Sequence, residues 1–164
     1  MFEINELLAE HPDIHFLFVG EGPVKQDLIS LAKTFGLVNV LFHPEVSREQ
    51  IPAFLSAANV ALVPLRRLDL FKGALPSKMF DAWACRCPTL VMIDGEARVV
   101  LEKARAGLFV EPENVEALVT AILNLKNNAA TCRQMGLNGQ QTVLAHYSRQ
   151  ALAQKLVDLL ERIS

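Results

Sequence analysis

The chain has 164 residues, 51% of them apolar, a formal net charge of −2 and three cysteines. A chain of that length buries a core without disulfides or metals, and its charge argues against nucleic acid as a partner. No uncharged apolar run approaches the ~20 residues that cross a bilayer, which leaves at most peripheral membrane contact.

Glu3 and Glu6 stand where a secretion signal carries bases, so a cytoplasmic location is expected, with room for membrane association at the surface. Short apolar runs then alternate with helical patterns, the pattern of an α/β, Rossmann-like parallel sheet flanked by helices. The expected strands are Ile14–Val19, Val40–Phe42, Val60–Val63, Thr89–Ile93 and Leu108–Val110. Each is nearly all apolar, as strands covered on both faces are. Helices are expected at 2–10, 24–35, 48–57, 77–85, 96–104, 114–127, 129–145 and 148–162. Ser47-x-x-Gln50 reads as a capping box, although Pro52 moves that helix start a residue or two later. Ser148 stands before a stripe of Leu152, Leu156, Leu159, Leu160 and Ile163. Trp83 and the phenylalanines fall in apolar runs and are expected in the core. No repeat or linker interrupts the chain, and a single domain over 1–164 is expected.

Ligands of such sheets sit beyond the carboxyl ends of the strands. The loops there are Gly20–Pro23, His43–Val46, Pro64–Pro76 and Asp94–Glu96. The stretch GALPSKMFDAWACRCP, residues 73–88, carries the chemistry. Pro76 suits a helix start, Ser77 is placed to cap it, and the first-turn amides together with Lys78 favour an anion or phosphate. Asp81, one turn on, can accept two hydrogen bonds from a vicinal diol such as a ribose. Plain dipole complementation explains the same residues without a ligand. Arg66, Arg67, Lys72, Lys78 and Arg86 outnumber Asp69 and Asp81, a basic patch suited to a small anion. Cys85-x-Cys87 with Cys132 lacks the paired arms of a zinc site, so no metal is expected. The Gly20-Glu21-Gly22-Pro23 turn lacks the rest of a nicotinamide-binding fingerprint.

Three stretches in order, FLFVGEGPVKQDL through VALVPL, GALPSKMFDAWACRCPTLV and AGLFVEPENVEALVTAIL, resemble the C-terminal, donor-binding half of GT-B-fold retaining glycosyltransferases of group 1, the kind found in bacterial cell-surface polysaccharide synthesis. The likeness runs from about residue 14 to the C-terminus. It implies transfer of a hexosyl group from a UDP- or GDP-sugar to an acceptor hydroxyl, with that donor as substrate and no cofactor. It also implies that the diphosphate lies at Gly73, Leu75, Ser77 and Lys78, that the helix acid at Asp81 holds the ribose, that the His43–Val46 loop (His43, Pro44, Glu45, Val46) meets the nucleobase, and that the Gly20–Glu21–Gly22 turn approaches the sugar-phosphate side. No catalytic residue is assigned.

The sequence departs from the family in three places. The family's Glu-x7-Glu pair falls on Gly73 and Asp81, so the first acid is missing and the second is a methylene shorter. Arg86 stands where glycine ends the helix; a left-handed residue there costs an arginine roughly 1–2 kcal/mol. The family's first strand and acceptor-binding domain find no counterpart in the 164 residues. The expected partners are therefore the sugar donor, an acceptor-domain half encoded separately, and further copies of the chain meeting over uncovered apolar surface. Alone, the chain is expected to transfer little sugar; the alternative reading is a non-catalytic binding subunit or truncated relic of such an enzyme.

Overall fold

A computed structural model describes residues 10–163, so the helix expected over 2–10 falls outside the described residues but for Glu10. The chain divides into two compact units, residues 1–51 and 52–164.

In the first unit, β1 (Phe16–Val19), α1 (Lys25–Thr34) and β2 (Val40–His43) form a strand-helix-strand unit. The strands pair in parallel, with Phe16 opposite Val40 and Val19 opposite His43. The α1 helix stops at Gly36, whose φ of +64° lets Gly36 N–H reach Lys33 O and Leu37 N–H reach Ala32 O. Asn39 is buried and donates to Ile14 O at 2.9 Å, which satisfies a polar group at the sheet's entry. Two strands and one described helix cannot cover both sheet faces. Leu17, Phe18 and Leu41 therefore stay exposed, against the expectation of strands buried on both sides.

The second unit holds the larger core and all but the first residue of α2 (Ile51–Ala57). There β3 (Ala61–Pro64), β4 (Thr89–Met92) and β5 (Gly107–Phe109) form a parallel sheet in the order β3-β4-β5. Every residue of the central strand β4 is buried, the pattern expected of a strand with neighbours on every side. A single 3-10 turn (Asp69–Gly73) precedes α3 (Ser77–Ala84); α4 (Glu96–Ala104), α5 (Val115–Asn127) and α6 (Ala129–Thr142) follow. The last of these runs into a π-helical turn (Val143–Tyr147) before α7 (Arg149–Ile163), so the helix expected over 129–145 changes its winding before its end. The cap read at Ser148 is in place, its Oγ accepting from Ala151 N–H at 3.1 Å, and Asn114, expected as the first helical residue, caps α5 instead, its Oδ1 accepting from Ala117 N–H at 2.9 Å. At Ser47 the expected box closes on one arm, Ser47 N–H donating to Gln50 Oε1, and the helix itself starts at Ile51, as Pro52 requires.

The core gathers Met79 and Trp83 of α3, Val91 of β4 and Leu101 of α4, with Val63 and Ile93. Trp83 has no exposed surface; its indole N–H donates to Thr89 Oγ1 at 3.0 Å. No phenylalanine reaches that depth among the described residues, and Phe18 and Phe35 are exposed, a correction to their expected place in the core. The α7 stripe of Leu152, Leu156, Leu159 and Ile163 lies exposed too. Burial holds the Cys87 thiol neutral, its pKa pushed up to about 12. Among the described residues no helix is long and apolar enough to cross a membrane.

Candidate functional site

The second unit presents α3. Met79, Ala82 and Trp83 face the core, and Ser77, Lys78 and Asp81 stand exposed. Spacings of three and four residues put Lys78 and Ser77 on the same side of the helix as Asp81. Ser77 does not cap the helix. Pro76 occupies the N-cap position with φ −64° and ψ 127°, and no side chain accepts from the first turn. Proline fits there because its fixed φ needs no adjustment and it has no N–H to satisfy. As a result Ser77 becomes the first helical residue, and its amide and that of Lys78 meet no acceptor among the described residues. Neither the Lys78 ammonium nor the Asp81 carboxylate has an ion-pair partner there. Such a helix start, with orphan N–H groups, a dipole end and a lysine, stabilises negative charge. Gly73 has an ordinary φ, and a side chain added there would enter open space.

The other end of α3 is fixed by long-range contacts. Arg86 takes the left-handed conformation with φ +60°, as its place after the helix required. Arg86 N–H then reaches Trp83 O and Cys87 N–H reaches Ala82 O, both at 2.9 Å, the same closure that Gly36 gives α1. Helix α6 offsets the strain: Arg86 Nε donates to Gln140 Oε1 at 2.7 Å, and Gln140 Nε2 donates to Ala84 O at 3.1 Å.

The basic patch is smaller in the structure than in the sequence. Arg67 pairs with Glu111 at 3.2 Å, Lys72 with Asp69 at 2.7 Å, and Arg86 is held by Gln140. The Asp69–Lys72 pair lowers the carboxyl pKa and raises that of the ammonium, chiefly through their hydrogen bond. Lys78 and Arg66 are the cations of that stretch without a partner among the described residues.

In the first unit both expected loops lie at the carboxyl ends of the strands. The Gly20–Gly22 turn follows β1, with Gly20 at φ +132° and its N–H on His43 O at 3.2 Å. His43–Val46 follows β2, and the His43 ring contacts Pro44 O through Nδ1 at 2.9 Å. Lys25 joins the two loops. Its ammonium donates to Gly20 O at 2.9 Å, to His43 O at 3.1 Å and to Glu21 Oε1 at 2.6 Å, which uses all three N–H bonds. The side chain is only 15% exposed. That hydrogen bond holds the Glu21 carboxyl below its ordinary value. Sequence reading passed over Lys25. The Glu21-to-Lys25 spacing of four signals the ion pair, but nothing local signals the reach to His43.

The profile of the family described as glycosyl transferases group 1 matches residues 3–142. The chain belongs to this family. It is 27% identical over 160 residues to a GDP-mannose-dependent alpha-(1-6)-phosphatidylinositol monomannoside mannosyltransferase of Mycolicibacterium smegmatis, a match over 96% of this chain and 42% of the relative. To the putative colanic acid biosynthesis glycosyl transferase WcaI of Escherichia coli it is 32% identical over 125 residues, covering 74% of the chain and 30% of the relative. Among solved structures, HepE of Anabaena with UDP-glucose bound superposes with a TM-score of 0.78 at 18% identity, over 96% of this chain and 44% of that one. Sucrose-phosphate synthase of Thermosynechococcus elongatus superposes at 0.76 with 25% identity, over 98% and 42%. The chain thus spans less than half the length of each of these relatives, and the fold is that of GT-B glycosyltransferases.

Proposed function

We propose that this group 1 domain holds a nucleoside diphosphate sugar for a retaining hexosyl transfer to an acceptor hydroxyl, in cell-surface polysaccharide synthesis. The carrying observation is the start of α3, where two amides, the Lys78 ammonium and the Asp81 carboxylate lie on one face, exposed and without a partner among the described residues. The diphosphate sits at that helix start, at Gly73, Leu75, Ser77 and Lys78. Negative charge grows on the leaving diphosphate as the glycosidic bond breaks, and fixed donors aimed at that charge lower the barrier. Asp81 accepts the ribose hydroxyls. Among the described residues its side chain engages no protein group, so binding breaks no bond to them. In the first unit the proposal assigns the nucleobase to His43–Val46 and the sugar-phosphate side to the Gly20–Gly22 turn, each held by Lys25.

The relatives' names bear on the donor: the mycobacterial one is GDP-mannose-dependent, and HepE was solved with UDP-glucose. Calorimetric titration with UDP, GDP, UDP-glucose and GDP-mannose decides the base and the sugar. Asp81→Ala removes two hydrogen bonds to a charged acceptor and should weaken nucleotide binding about a hundredfold, with the melting temperature unchanged. Equal binding by the parent and Asp81→Ala removes the ribose role. No binding of any of the four compounds to the parent chain removes the proposal.

A further inference from the structure

Between β3 and α3 the chain runs as a strap over residues 65–76. Beneath it lies a cleft of about 260 Å³ walled by Leu68, Phe71, Ile93, Asp94 and Pro112. Leu65 packs against the core at the strap's start, and over the cleft the strap's position depends on where the backbone touches down. One anchor is near its start, where Arg67 N–H donates to Glu113 Oε1 at 3.2 Å. The other is Gly95, in the turn after β4. Its φ of +93° with ψ −137° is a conformation kept almost wholly to glycine. A Cβ at 95 would stand 2.2 Å from Lys72 O and 2.8 Å from Lys72 C and Cα, where ordinary contacts begin at 3.4 Å. The obstacle is backbone, which cannot swing aside as a side chain can.

Lys72 is five residues before Ser77, and the path between them is stiff. Ala74 N–H bonds Phe71 O at 3.0 Å, Ala74 is extended, and Pro76 fixes φ at −64°. A displacement of the Lys72 backbone is passed on to the first turn of α3. We propose that Gly95 is a positioning residue of the donor site: by letting the strap rest backbone on backbone at Lys72, it sets where the α3 amides, and so the bound diphosphate, lie. The inference rests on the donor reading above.

Gly95→Ala is the test, read by titration with UDP and GDP and by hydrogen exchange at the Ala74 and Met79 amides, which bond Phe71 O and Pro76 O on the path from the strap into α3. Gly107→Ala serves as the control. Its Cβ would stand 1.9 Å from Thr89 O inside the sheet, a comparable clash that leaves the strap alone. At a temperature where both variants keep the parent's circular dichroism, Gly95→Ala should bind the parent's nucleotide about tenfold or more weakly, because displacement of about 1 Å is costly at a site that depends on alignment. Exchange at Ala74 and Met79 should accelerate. Gly107→Ala, whose clash reaches α3 only through Thr89 and Trp83, should lose less affinity than Gly95→Ala at an equal loss of melting temperature. Glu113→Gly cuts the far anchor, suits the local φ of +65°, and should leave affinity within about twofold, as surface substitutions do. Unchanged affinity in Gly95→Ala, losses in both alanine variants that merely follow melting temperature, or a loss in Glu113→Gly as large as that expected for Gly95→Ala would each overturn the inference. Should the parent bind neither nucleotide, the donor reading falls and the exchange data decide: faster exchange keeps Gly95 as the seat of the strap, unchanged exchange removes it.

Discussion

Replacing Trp83 with phenylalanine probes the joint that carries the candidate site. The indole is fully buried, donates to Thr89 Oγ1 at 3.0 Å, and meets the Phe80 ring edge-on at 5.7 Å. Gly139 of α6 lies so close that a Cβ there would stand 2.8 Å from the indole Cγ. The smaller ring leaves a void of one to two methyl-sized groups, at about 1 kcal/mol for each. It also strips the donor from a hydroxyl with no exposed surface, about 1–3 kcal/mol more. The expected loss is about 3 kcal/mol, or about 10 °C in melting temperature. Trp83 is the only tryptophan, so the assay is urea denaturation followed by circular dichroism rather than by fluorescence. Thr89→Val orphans the indole N–H from the other side, and the double variant should fall short of the two single losses combined by about 1 kcal/mol. Strict additivity would refute the Trp83–Thr89 bond; a loss below about 1 kcal/mol for Trp83→Phe would refute the burial of the ring.

Two further outcomes concern the first unit. Lys25→Met keeps the length of the side chain but removes three donated hydrogen bonds, and should release the two loops at a cost of about 1.5 kcal/mol. Exchange of the Gly20 amide, which donates to His43 O, should rise about tenfold, with partial recovery in Lys25→Arg. Because Lys25 lowers the Glu21 pKa from its ordinary 4.5, the pair contributes stability that is fully present above that value and lost as pH falls below it through the lowered one. Glu21→Gln should therefore have a lower urea midpoint than the parent at neutral pH, and the gap should close in acid. A gap that widened in acid would contradict the pairing.

Much of this protein is local and could be read from the chain. The apolar runs that became β1 to β5 are contiguous, the caps at Asn114 and Ser148 depend on atoms within one turn, and the left-handed Arg86 follows from where its helix stops. The face shared by Ser77, Lys78 and Asp81 follows from helical spacing alone. Ser77 lost its expected capping role because Pro76 already supplies the extended residue before the helix.

The sequence by itself determined the family, the order of elements and the residues lining the start of α3, since each is encoded within a few neighbouring positions. Tertiary structure alone decided which of the other charges remain available: Arg67 found Glu111, and Lys25 crossed from α1 to the end of β2. It alone brought Gly95 under Lys72 and Gln140 to the end of α3. The α7 stripe, periodic in the sequence yet exposed in the fold, makes the same division. Periodicity reports which side of a helix is apolar; whether anything covers that side depends on segments distant in the chain, and no local pattern encodes their approach.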